Sequence, residues 1–152
     1  MRRSTPWASA LLLAGACGGA HAADGAQLFS THCQACHQAG GEGAPGIAPP
    51  LAGTLGKRAA LPEGQAQLAS TLVVGLSGPI SARGERYNGN MPAFAATLKD
   101  DELALLLNHL LSAFNASPVQ VDAALFAAAR QRPAQPAQLR QQRERLLAQT
   151  GE

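Results

Sequence analysis

Sulfur is scarce in this 152-residue sequence, which holds three cysteines and two methionines. Cys33 and Cys36 form a C-x-x-C, yet no second C-x-x-C and no H-x3-H follows it, so a closed four-ligand zinc site lacks the residues to complete it. Long apolar runs are missing too. The stretch Ala8 to Ala16 is too short to span a bilayer, and no permanent transmembrane anchor is expected. Lys and Arg number 12 against 10 Asp and Glu, and with Arg2 and Arg3 set aside the charge is balanced. No basic stripe is present, so no nucleic-acid partner is expected. The length allows one domain plus an appendage and excludes a large enzyme core. No alternating β-branched run specifies a strand, and there is no internal repeat.

The first 22 residues read as a secretory signal. Arg2 and Arg3 make the charged start, Ala8 to Ala16 the apolar centre, and Ala20-His21-Ala22 the A-x-A cleavage site, which leaves Ala23 as the first mature residue. The expected location is therefore the periplasm. A competing feature is Leu13-Ala14-Gly15-Ala16-Cys17, a loose match to a lipoprotein box with Ala14 where Leu is usual. Lipidation of Cys17 would change the expectation from soluble to anchored.

The chemistry concentrates in Cys33-Gln34-Ala35-Cys36-His37. C-x-x-C-H is the attachment signal of a c-type haem. Residues three apart share one face of a helical turn, so both thiols can meet the two vinyl groups of a porphyrin. His37 then turns its imidazole toward the iron as proximal ligand. A thioredoxin-like redox pair would need a βαβ context, whereas a Gly/Pro-rich stretch follows here.

Around this motif the periodicity is helical. Asp24 with Gln27 resembles a capping box and starts a helix expected to run to about Gln38. Residues 39–56 hold six glycines and three prolines and read as a loop crossing the haem edge. Pro62 to Leu76 is expected to be helical, and residues 77–90 to be loop ending in the turn signal Tyr87-Asn88-Gly89-Asn90. Asp100 to Phe114 has the clearest pattern: Leu103, Leu106, Leu107, Leu110, Leu111 and Phe114 line one face, and Asp100-Asp101-Glu102 suits the positive end of the dipole. Ser117-Pro118 is expected to cap a short helix to about Arg130. Arg132-Pro133 to Pro136 breaks it, and Leu139, Arg143, Leu146 and Leu147 fall on one stripe of a last segment. The Ala/Gln/Arg composition of this tail fits a loosely docked appendage. Three parts are therefore expected: 1–22 a signal peptide, 23–116 the haem domain and 117–152 a helical extension.

A haem held by one histidine has a sixth position to fill, and its occupant separates electron transfer from ligand chemistry. Past the signal, Met91 is the one methionine, placed before Pro92, which stiffens its loop. It is the leading candidate for the distal ligand. Three alternatives stand beside it: Met91 as a core filler, His32 on the proximal side, and His109, which falls among leucines and reads as a packing residue.

Together, Gly25-x-x-x-Phe29-x-x-x-Cys33-x-x-Cys36-His37, Pro49-Pro50-Leu51-Ala52-Gly53, Tyr87-Asn88-Gly89-Asn90-Met91-Pro92-Ala93-Phe94 and the Leu-rich last helix resemble the class I cytochrome c family, in its small bacterial periplasmic branch. The resemblance covers about residues 24 to 115. It implies an all-α cytochrome c fold in which first and last helices cross around one covalently bound haem c. Gly25 would allow the close approach, with Phe29 near Leu106 and His109, although the family often has an aromatic at the position of His109. It also implies that the Pro49 carbonyl accepts from the His37 ring N–H, orienting the ligand. Leu51, Leu55 and Phe94 are expected pocket members. No tryptophan follows the signal to serve the propionates; Arg83, Arg86, Tyr87 and Asn88 are candidates instead.

The expected function is one-electron transfer, not enzymatic catalysis, between transient redox protein partners, by a monomer with His37 and Met91 as axial ligands. A close variant makes the chain the electron-transfer subunit of a dehydrogenase or reductase, docked through its tail. A third reading, a ligand-binding haem sensor or enzyme, requires Met91 off the iron.

Overall fold

The computed structural model describes residues 24–151. The signal reading of residues 1–22 and the lipidation candidate Cys17 lie outside the described residues. The fold is helix-dominated. Asp24 caps helix α1 (Gly25–His32), its carboxylate accepting from the Gln27 N–H at 2.7 Å. At Cys33 the backbone leaves helical geometry, so the expected single helix becomes α1 followed by a one-turn α2 (Gln34–His37). The junction stays hydrogen-bonded: Cys33 N–H donates to the Phe29 carbonyl, and His37 N–H donates to the Cys33 carbonyl, both at 2.9 Å. One short turn α3 (Gly56–Ala59) leads into α4 (Pro62–Val74), begun by its proline and ended at Gly75 with φ 77°. Helix α5 (Asp100–Asn115) opens with the Glu102 carboxylate accepting from the Lys99 N–H at 2.8 Å.

Helix α5 crosses α1, and the crossing is close because Gly25 has no side chain. A Cβ there would lie 2.3 Å from the Leu105 carbonyl oxygen and 2.5 Å from the His109 Cβ. Phe29, His109 and Phe114 fill the space beside the crossing, with the Phe29 and Phe114 ring centroids 4.9 Å apart, edge to face. Leu103, Leu106, Leu107, Leu110 and Leu111 point into the core, as the periodicity requires.

Two further features differ from the sequence expectation. Residues 77–90 are not plain loop. Strand β1 (Leu76–Ser77) pairs antiparallel with β4 (Asn90–Met91), and β2 (Ile80–Ala82) pairs antiparallel with β3 (Glu85–Tyr87). Strands of two or three residues leave no alternation to read; the tight turn at Arg83-Gly84, both at positive φ, and packing onto the helices form them.

The second correction concerns the tail, which is firmly docked. The chain first runs extended past Val121, whose N–H and carbonyl bind both ends of the Asn108 amide at 2.8 and 2.9 Å. Asp122, not Ser117, caps helix α6 (Ala123–Gln131), and α7 (Pro136–Thr150) follows. Helix α6 packs on α4 and α5, and α7 packs on α4, α3 and β1. Phe126 and Leu139 are 0% exposed and Leu146 is 2%. The Arg130 guanidinium ties α6 to the start of α5 by donating to Asp100 Oδ1 and to the Ala95 and Leu98 carbonyls.

Candidate haem site

The helical turn at the end of α1 sets the first part of the site. Cys33 is buried and Cys36 is exposed, one turn apart on the rim of the same cleft. Burial, and to a lesser degree the neighbouring Cys36, push the Cys33 thiol up to about 11. It is protonated at neutral pH, which is opposite to the lowered pKa that a thioredoxin-like nucleophile needs.

The loop after α2 is folded by its glycines into a proline shelf. Gly43, with φ 76°, lies where a Cβ would be 2.6 Å from the Ala48 carbonyl oxygen and 2.7 Å from the Pro49 carbonyl carbon. Its N–H donates to the His37 carbonyl at 2.9 Å, and the N–H groups of Leu51 and Ala52 both donate to the Gly41 carbonyl. This brings the Pro49 carbonyl oxygen to 2.9 Å from His37 Nδ1. A carbonyl can only accept, so Nδ1 carries the hydrogen and Nε2 keeps its lone pair for a metal. Burial lowers the pKa of His37, partly offset by the Pro49 hydrogen bond, and holds the ring neutral as an iron ligand must be.

Asn115 fixes the far end of the loop, which sequence reasoning did not single out. Its Oδ1 accepts from the Leu55 N–H at 2.9 Å, and its Nδ2 donates to the Leu51 and Leu110 carbonyls at 3.1 and 2.8 Å. An asparagine at a helix end carries no periodic signal, so only its partners reveal the role.

On another wall, Met91 is held by strand pairing opposite Leu76 and packs against the main core. Gly75 is needed beneath it, because a Cβ there would lie 2.5 Å from the Met91 carbonyl oxygen. Phe94 N–H donates to the Leu72 carbonyl at 3.0 Å, which fixes the segment beyond Pro92. Cys33, Cys36, His37, Pro49, Leu51 and Met91 all border one cavity, whose empty space including its open mouth is about 1290 Å³. Leu55 and Phe94 border it as well. His32 also lines it, with its ring edge-on to Phe94 at 6.1 Å. His109 lies in the cluster with Phe29 and Phe114 and is not among the lining residues.

Of the four residues considered for the propionates, Tyr87 alone lines the cavity. Arg83 is drawn away to the Ala52 carbonyl, 2.9 Å from its Nη2. Two arginines not among those candidates are buried on the cavity wall instead: Arg58 at 3% exposure and Arg143 at 7%. Arg58 donates to Gln67 Oε1 at 3.1 Å and to the Thr54 carbonyl at 3.0 Å.

The donor set fits a c-type haem. Two thiols stand one turn apart on one edge, a neutral imidazole offers a free nitrogen, a thioether borders the same space, and the remaining lining is mostly aliphatic and proline. No helix among the described residues is long and apolar enough to cross a membrane.

Comparison with known proteins agrees. The family model described as Cytochrome c matches residues 22–114. Cytochrome c-552 of Thermus thermophilus is 45% identical over 92 residues, which cover 60% of this chain and 69% of that protein. A second cytochrome c-552, from a named strain of the same organism, is equally identical over 92 residues, covering 60% of this chain and 61% of its own length. The chain belongs to the cytochrome c family and carries haem c, joined covalently through Cys33 and Cys36.

Proposed function

We propose that this protein is a periplasmic one-electron carrier in which His37 and Met91 would hold the haem iron. Residues 1–22 act as the export signal, 23–116 form the haem domain and 117–152 an extension. One observation chiefly supports the reading: His37, with Nδ1 committed to Pro49, and Met91, with its backbone paired to Leu76, border the same apolar cavity. The bound group supplies a ferric/ferrous couple. The chain's residues then do three things. Pro49 fixes the ring and raises its basicity; the soft thioether of Met91 favours the ferrous state; and Leu51, Leu55, Leu68, Leu72 and Phe94 keep water from the reacting centre. Ligands retained in both oxidation states require little rearrangement, which suits rapid exchange with donor and acceptor proteins in small, short-lived encounters.

The test is Met91→Ala in the holoprotein. We expect the reduced variant to bind carbon monoxide and its potential to fall, while the parent stays six-coordinate and low-spin. An unaltered spectrum would remove Met91 from the iron, and rapid carbon monoxide binding by the parent would favour a sensor or enzyme. The variant reading, in which the tail docks on a catalytic subunit, loses its motivating feature, since Leu139 and Leu146 are buried against the chain's own core.

A further inference from the structure

We propose that Arg140 of α7 is a positioning residue for Met91: through it the C-terminal extension latches the short ladder that carries Met91 and so sets how readily the thioether leaves the iron. The proposal rests on the reading of Met91 as sixth ligand. A ladder of two residues is too short to be stable by itself. Leu76 pairs with Met91 and Ser77 with Asn90, and the next residue, Gly78, adds one long bond, its N–H donating to the Gly89 carbonyl at 3.3 Å. The chain beyond Met91 is tied to α4 by the Phe94 N–H, which donates to the Leu72 carbonyl at 3.0 Å. The chain beyond Leu76 is tied to α7. Leu139 is 0% exposed and seats that helix on the core, and Arg140 follows it directly. Its Nη1 donates to the Ser77 carbonyl. The guanidinium also lies against the backbone of Gly78, where a Cβ would be 2.9 Å from Nη1 and 3.1 Å from Cζ. Gly78, at φ 90°, therefore supplies both the turn out of β1 and the bare surface that seats the cation. Three residues on, Arg143 Nη1 donates to the Ser81 carbonyl at 2.9 Å, so one helix grips segment 77–81 at two carbonyls. Arg140 does not line the haem cavity, and its influence on the cofactor passes through β1 and β4. Residue 140 lies beyond the matched family region, which ends at 114, so the latch is a device that the extension adds to the haem domain.

An exogenous ligand reaches the iron only in molecules whose Met91 has moved off it, so its apparent dissociation constant varies inversely with the open fraction. The test titrates imidazole into the ferric holoprotein of the parent, Arg140→Ala, Arg140→Lys, Arg145→Ala and Met91→Ala, and follows the absorption spectrum. A charged donor on a carbonyl makes one of the stronger hydrogen bonds, so Arg140→Ala is expected to bind imidazole about tenfold more tightly than the parent. Arg140→Lys should fall between them, since it keeps a donor but not the planar face over Gly78. Arg145→Ala is the control: it removes the same charge from an exposed position of the same helix and should keep the parent's affinity. Hydrogen exchange separates the latch from a general loosening of the extension. In Arg140→Ala the Gly78 amide is expected to exchange about tenfold faster, while the Val121 amide, held by Asn108, keeps the parent's rate. Should Arg140→Ala fail to fold, Arg140→Lys decides by whether it binds imidazole more tightly than the parent. The parent's affinity in the Arg140 variants, an equal rise in Arg145→Ala, or Val121 exchange that quickens in step with Gly78 overturns the proposal. Met91→Ala keeps the two readings apart. Tighter imidazole binding by that variant beside an unchanged Arg140→Ala overturns the latch alone, whereas no tightening in Met91→Ala overturns the ligand reading and the latch with it.

Discussion

At the scale of single residues, the site depends on groups made to be neutral. His37 is kept uncharged by burial, and the sign of its effect on stability follows directly. Above its ordinary value of 6.5 the imidazole is neutral folded or unfolded and contributes no pH dependence. Below 6.5 the unfolded chain takes up a proton that the folded one resists, so stability falls as acid is added, until the lowered folded value is passed. Iron ligation acts in the same direction by occupying the lone pair. Denaturation midpoints of the holoprotein at about pH 7 and about pH 5 check this: the midpoint in acid should be the lower, and equal midpoints would contradict it. The attachment motif and the order Cys33, Cys36, His37 were legible in the sequence because thioether chemistry fixes the spacing. Arg58 and Asn115 were not legible, since a buried guanidinium or amide looks like any surface polar group until its acceptors are known.

At the scale of elements, the crossing of α1 and α5 was readable from two simple patterns, a leucine stripe at helical period and a glycine one turn ahead of Phe29. Its weak point is steric. Gly25→Ala introduces a methyl where 2.3 Å separates it from a backbone oxygen, and it should lower stability by about 1–3 kcal/mol through displacement of α1 from α5. Urea titration of the variant checks this, and an unchanged midpoint would mean that the helices can part without loss. The strand pairs were hidden for the opposite reason. Leu76 and Met91 pair because α4 and the Pro92–Phe94 segment, tied to Leu72, deliver them to one place, and a ladder two residues long has no periodicity of its own. The α1–α2 break at Cys33 was equally hidden, because its cause is local backbone geometry and no breaker residue marks it.

At the scale of the whole molecule, the extension is part of the fold. Phe126 is packed among α4 and α5 residues, so Phe126→Ala should cost about 3–5 kcal/mol, like other large core truncations. Helix content and the native low-spin haem spectrum are expected to change in one coincident transition in parent and variant alike. An early helical transition that leaves the haem spectrum intact would show that the tail melts alone. Composition misled here: alanines, glutamines and arginines suggest solvent, but a few well-placed apolar residues and Arg130 are enough to seat two helices. The rim of the cavity has a consequence for traffic. Ile47 borders it and is 65% exposed, exposed Cys36 and Gly89 border it as well, and no acidic or lysine side chain is on the lining. Where a redox partner docks at this doorway it meets oil, and its arrival rate should change little between dilute buffer and seawater, because wetting would select the visitor where charge would otherwise steer it.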